Sequence, residues 1–172
     1  ILSGHLLGAG RRSILLAFGR RTAFSTAAVL VIPSLCLLLF RQEAAAIFTH
    51  DPKAAAQASL YLLFACIGGP ISGMTGVLHG IFAGAGATAV SCRIGAITGW
   101  AIGIPLSWAA GIFLGFGPAG IYGAGLAAQI IASAWTFKLF RSSEWMDSGL
   151  KRSHAASARL IPARGKNARD IR

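Results

Sequence analysis

Four stretches of this chain run for close to twenty residues with almost no charge: 23–40, 59–82, 94–114 and 119–140. None alternates polar and apolar positions, as a barrel strand facing lipid on one side would. A hydrocarbon layer is about 30 Å thick, and about 20 apolar residues cross it as a helix. The pattern predicts four transmembrane helices over those ranges. Residues 1–10 read as the end of a further, truncated helix and 11–22 as a loop. Residues 141–172 read as a basic, largely disordered tail. The predicted class is an all-α membrane protein, an antiparallel bundle of transmembrane helices.

Local punctuation agrees with this division. Asp51-Pro52 reads as an N-cap followed by proline at the first helical position, so the second helix is expected to start at Pro52, ahead of its apolar run. The run from Gly84 to Thr88 lacks the lysine of a phosphate-binding loop and reads as a helix break. The turn Gly115-Phe116-Gly117-Pro118 is short enough to make the last two helices antiparallel neighbours.

Composition sharpens the choice of solvent. Charged residues make up 12% of the chain, against about 25% in soluble domains. Mean hydropathy is +0.65. The formal net charge of +11 would suit nucleic acid, but the cations stand between the apolar runs and in the tail. Nucleic acid is therefore not expected as a partner; the lipid bilayer is. Fourteen of the sixteen Lys and Arg fall in 11–21, at Arg93, and from Lys138 onward; only Arg41 and Lys53 lie on the alternate side. The positive-inside rule places the first set in the cytoplasm, giving a multi-pass protein with a cytoplasmic C-terminus.

Candidate chemistry is sparse. No set of catalytic side chains is visible, so an enzyme is not expected, and no bound cofactor is implied. Pro33, Pro70 and Pro105 fall mid-span, where each removes a backbone donor and frees a carbonyl. His79 is an intramembrane ionisable side chain and a candidate proton carrier. Thr75, Thr98, Pro70 and Pro105 join it as transport-path candidates. Small residues recur every four positions, at Gly76 and Gly80 and again at Gly95, Gly99 and Gly103, and are expected to let helix backbones approach closely. Trp108, Trp135 and Trp145 read as interfacial anchors, and Trp100 as a packing residue.

Five motifs in order resemble the C-terminal part of a multidrug and toxic compound extrusion (MATE) family transporter. They are Gly4-His5-Leu6-Leu7-Gly8-Ala9-Gly10, Ile47-Phe48-Thr49-His50-Asp51-Pro52, the glycine-rich turn from Gly80 to Thr88, Ile104-Pro105-Leu106, and Gly117-Pro118-Ala119-Gly120-Ile121-Tyr122-Gly123-Ala124. Ala83 and Ala87 stand where the family has Arg and Asp, and Tyr122 where it has Trp.

The resemblance implies part of the second lobe of a twelve-helix, two-lobe transporter in a bacterial inner membrane. Such a protein exports small organic cations or amphipathic drugs in exchange for Na⁺ or H⁺, and its partner is the N-terminal lobe of the same chain. The spans hold no acid, so a cation-binding carboxylate would lie outside this chain. Two alternatives stand beside this reading. One is a flippase for lipid-linked saccharides, which would carry cationic residues in its cavity. The other is a membrane scaffold that transports nothing.

Overall fold

The computed structural model describes residues 2–142 and 144–146, and all regular structure among them is helical. In chain order the helices are α1 (Leu2–Gly8), α2 (Arg12–Leu39), α3 (Arg41–Phe48), α4 (Pro52–Gly84), α5 (Thr88–Phe113) and α6 (Gly117–Ser142). Helices α2, α4 and α5 are long and apolar enough to cross a membrane. Helix α6, predicted as a fourth span over 119–140, has 26 residues but is not among them by hydropathy. Its glycines, Gln129 and Lys138 dilute the apolar content.

What these helices leave outside identifies their solvent. In the most apolar window of α2 only 6% of residues are buried, and in those of α4 and α5 11%. In water such faces would aggregate; against hydrocarbon they cost nothing. The chain is an all-α membrane bundle.

Helix α4 lies at the centre. It packs against α2 on one side and α6 on the other, and α5 covers the far side of α6. The pairs α2/α4 and α5/α6 are antiparallel. Gly73 meets Leu30 while Ile81 meets Gly19, and Gly103 meets Ala128 while Gly120 meets Ala110. Helices α4 and α6, separated by α5 in sequence, run parallel.

The segment 11–22, expected as a loop, is helical from Arg12 onward. Leu15, Gly19 and Ala23 recur at four-residue spacing and are buried, so the apolar stripe of α2 begins before its charge-free run. The loop between the first two spans likewise contains α3. The start of α4 matches expectation: the Asp51 carboxylate accepts the Lys53 amide at 3.0 Å, and Pro52 needs no partner there.

Two turns share one chemistry. After α4 the Ala87 amide reaches the Phe82 carbonyl at 2.8 Å and the Gly86 amide the Ala83 carbonyl at 3.0 Å. Gly86 itself sits at φ 78°. After α1 the Arg11 and Gly10 amides repeat the pattern onto Leu6 and Leu7, with Gly10 at φ 70°. This is the Schellman cap, which satisfies helix-end carbonyls and requires a left-handed residue best supplied by glycine.

Both turns sit at the same end of the bundle as the main core. That core is Leu7, Leu15, Leu78, Ile81, Phe82, Ile94, Phe140, Trp145 and Met146, with Ala23, Ala85 and Ala87. Trp145 is 4% exposed, stacks on Phe140 at 5.8 Å, meets Phe82 edge-on at 5.0 Å, and donates its indole N–H to the Phe140 carbonyl. Trp145 and Met146, placed by sequence in the tail, are therefore packed in the core, and Trp145 is a core residue instead of an interfacial anchor. The remainder of the predicted tail, at 143 and 147–172, lies outside the described residues. At the opposite end Phe48 is 88% exposed and no comparable core forms.

Helix α5 is irregular. It is π-helical over Ile97–Gly103 and Ala109–Phe113. Pro105 explains the first stretch: it has no amide and its ring crowds the carbonyl one turn back. The chain answers by shifting register, and the Ile104 amide bonds Gly99 five residues back.

The glycine pattern needs correction. A Cβ on Gly76, Gly80, Gly95 or Gly99 would meet nothing within 4 Å, and only Gly103 of the predicted set lies against a neighbouring helix. The closest approach to another helix's backbone is elsewhere: a Cβ on Gly120 would sit 2.5 Å from the Ala110 carbonyl oxygen, which cannot move aside alone. Gly120→Ala should therefore destabilise the protein by about 1–3 kcal/mol, as overpacking does. Gly76→Ala should stay within about 0.5 kcal/mol. Thermal unfolding of both variants in detergent checks the pair; equal effects would show that α5 and α6 do not meet at Gly120.

Candidate functional site

Polar side chains in this apolar bundle collect along one seam. Where α4 and α6 run side by side, three side-chain hydrogen bonds cross between them. Gln129 Nε2 donates to the Gly68 carbonyl at 2.8 Å. Thr75 Oγ1 and Ser133 Oγ lie 2.6 Å apart. His79 Nε2 and Thr136 Oγ1 lie 3.3 Å apart. On α6 the positions are 129, 133 and 136, which share one helical face. On α4 they are 68, 75 and 79, again one face.

A hydroxyl has one hydrogen to give. Thr136 Oγ1 lies 2.7 Å from the Ala132 carbonyl as well as near His79, and Thr75 Oγ1 lies 2.8 Å from the Ile71 carbonyl as well as near Ser133. When Thr136 gives its hydrogen to Ala132 it accepts from His79 in the Nε2–H tautomer; when it gives it to His79, Nε2 accepts.

The Gln129 amide reaches the Gly68 carbonyl two residues before Pro70; the carbonyl that Pro70 leaves without its helical partner is that of Cys66. Aromatic contacts bracket the seam. Tyr122 meets Tyr61 edge-on at 5.4 Å and Phe64 at 6.3 Å. At the other end Phe82 and Phe140 are 6.2 Å apart.

The structure thus joins two of the five sequence candidates, Thr75 and His79, on one seam, while Pro70, two residues past Gly68, falls on another face of α4. The other two lie on α5. Thr98 is buried and its hydroxyl turns back onto the Ile94 carbonyl at 2.6 Å. Pro105 is exposed. Near Pro105, Gly99, Gly103, Ser107 and Trp108 line a shallow depression of about 340 Å³. Trp100, read as a packing residue, is 76% exposed. Sequence reasoning missed Gln129, Ser133 and Thr136. Their spacing of four and three residues in an otherwise apolar helix was the available signal.

Chemically the seam has no nucleophile–base pair and no carboxylate. It can bond, exchange hydrogens between hydroxyls and imidazole, and rearrange when α4 shifts along α6. In a bundle whose apolar faces gain nothing by leaving lipid, such bonds contribute to helix association. A double-mutant cycle of Thr75→Val and Ser133→Ala should give a coupling energy of about 0.6 kcal/mol. Additive effects on detergent unfolding would mean that packing alone holds the seam.

Comparison with known proteins follows the same residues. A family model described as MatE matches residues 1–109, which covers α1 to α4 and α5 through its proline. An uncharacterized transporter of Bacillus subtilis (strain 168), YisQ, is 28% identical over 117 residues, 68% of this chain. The chain spans 26% of that relative's length. No solved structure matches.

Proposed function

The chain belongs to the MatE family, a family of membrane transporters, and we propose that it forms part of the second lobe of a secondary transporter exporting cationic or amphipathic compounds in exchange for Na⁺ or H⁺. The observation that carries the reading is the character of the bundle. Its spans bear no carboxylate, and hydroxyls, an amide and one imidazole, all neutral groups, gather on the α4–α6 seam. A wall of aromatic, small and neutral polar groups suits a hydrophobic organic cation. It gives an anionic lipid-linked saccharide no partner within the membrane, which disfavours a flippase.

Alternating access needs helices that change shape or slide. Helix α5, with its two π-helical stretches around Pro105, and α4, a continuous helix that carries Pro70 within it, supply such elements. The hydroxyl and imidazole contacts between α4 and α6 can re-form after a small shift, which a tightly interdigitated apolar seam could not do.

The test uses the full-length transporter in vesicles, with an imposed Na⁺ or H⁺ gradient and a fluorescent organic cation. Gradient-driven dye movement is expected with one of the two ions. No movement under either gradient, in folded protein, would favour lipid-linked cargo or a scaffold. If H⁺ drives the exchange through His79, His79→Gln should abolish H⁺-driven uptake while leaving dye binding within about twofold, since glutamine still offers Thr136 a donor. Unchanged H⁺ coupling would remove His79 from the path.

A further inference from the structure

A groove lies outside the seam, between the first turns of α2 and the last turn of α6. Ser13, Leu16, Ala17 and Arg20 form one wall, at the helical spacing that puts them on one face. Phe137, Phe140 and Arg141 form the other. The groove encloses about 490 Å³. Toward the membrane, Phe24 meets Phe137 of the groove's wall edge-on at 5.9 Å.

The two arginines stand at the same depth. Gly19 lies directly against the Phe140 ring, and Arg20 and Arg141 are the next residues on their helices. From Arg21 to the end of α2 no further charge occurs. At 1.5 Å per residue that stretch is about 28 Å long, close to the thickness of the hydrocarbon core. If it crosses that core, Arg20 and Arg141 stand where hydrocarbon gives way to headgroups. Ser13 lies two turns farther out.

No carboxylate lines this groove. Of the described acids, Glu43 and Asp51 belong to the opposite end of the bundle, and Glu144, three residues past Arg141, is exposed and not part of the lining. Neither Arg20 nor Arg141 forms an ion pair among the described residues. Two guanidinium groups at the edge of a low-dielectric layer are best matched by a phosphate, which each can grip through parallel N–H donors.

We propose that this groove binds the headgroup of an anionic glycerophospholipid, its polar substituent beside Ser13, Leu16 and Ala17, its phosphate between Arg20 and Arg141 and its glycerol over Phe137. The acyl chains would follow the lipid-facing side of α2 deeper in the membrane, where Phe24, Val29 and Ile32 are exposed. The apolar floor separates this from a site for free phosphate, which has nothing to bury there. The basic rim separates it from a plain lipid contact, which would not discriminate between headgroups.

The experiment uses the full-length protein purified with exchange into phosphatidylglycerol or phosphatidylcholine, and counts retained lipid by native mass spectrometry. Retention of phosphatidylglycerol over phosphatidylcholine is expected. Loss of one arginine should weaken it about fivefold, and the Arg20→Gln/Arg141→Gln pair about thirtyfold. Ala17→Trp, which fills the groove without changing charge, should also lower retention. Arg41→Gln, at the other end of the bundle, should not.

Four results would overturn the proposal. Equal retention by the wild type and the double variant would show that the lipid binds elsewhere. An equal loss on Arg41→Gln would mean that net charge, not this groove, attracts the lipid. Displacement by millimolar inorganic phosphate would make it a soluble-anion site. No retained lipid on the wild type would show that another part of the chain fills the groove.

Discussion

A backbone amide in hydrocarbon has no water to bond, and this chain is built around that constraint. It makes every long segment a helix. It also decides how the helices end and bend. The turns after α1 and α4 close with the same pair of reversed bonds around Gly10 and Gly86, so that the last carbonyls are not left open. At Pro105 the missing amide is absorbed by a shift to five-residue bonds in the preceding turn, and α5 continues without an unpaired break. On α4 the Gln129 amide adds a bond from another helix to the Gly68 carbonyl. Two local problems of unpaired backbone, at the helix ends and at Pro105, thus receive two different answers.

The distribution of packing follows from the same solvent. Lipid offers no reward for hiding leucine, so α2, α4 and α5 keep their apolar faces outward and cohere through close approach and a few polar contacts. The compact core forms at the end that holds both Schellman turns, where Phe82, Phe140 and Trp145 stack and Met146 fills the remaining space. The other end is looser, with Ile47 and Phe48 exposed on α3. The bundle is thus packed tightly at one end and held along its centre by hydroxyl contacts.

Helix content, the cap at Asp51 and the breaks at Gly10 and Gly86 were legible in the chain, because each depends on neighbours within a few residues. The motif order from Gly4 to Ala124 pointed to the family now matched over residues 1–109. The start of α2 was misread because four arginines in 11–21 outweighed the stripe of Leu15, Gly19 and Ala23. The span over 119–140 was read as equal to the others, although Gln129 and Lys138 make it the least apolar of the four. Glycine spacing named the wrong contacts: Gly76 and Gly95 have the right period, but period does not say which face a neighbour occupies.

By itself, then, the sequence determined that this chain is helical, meets lipid, and turns where it does, since hydropathy, capping and proline act locally along the backbone. Only the tertiary structure decided that α4 and α6 lie parallel and adjacent, which residues face each other across that seam, and that Trp145 belongs to the core. His79 was visible as an unusual residue; that its Nε2 meets the Thr136 hydroxyl depends on a residue 57 positions away. Contacts of that range are set by how whole helices pack, and no local pattern encodes them.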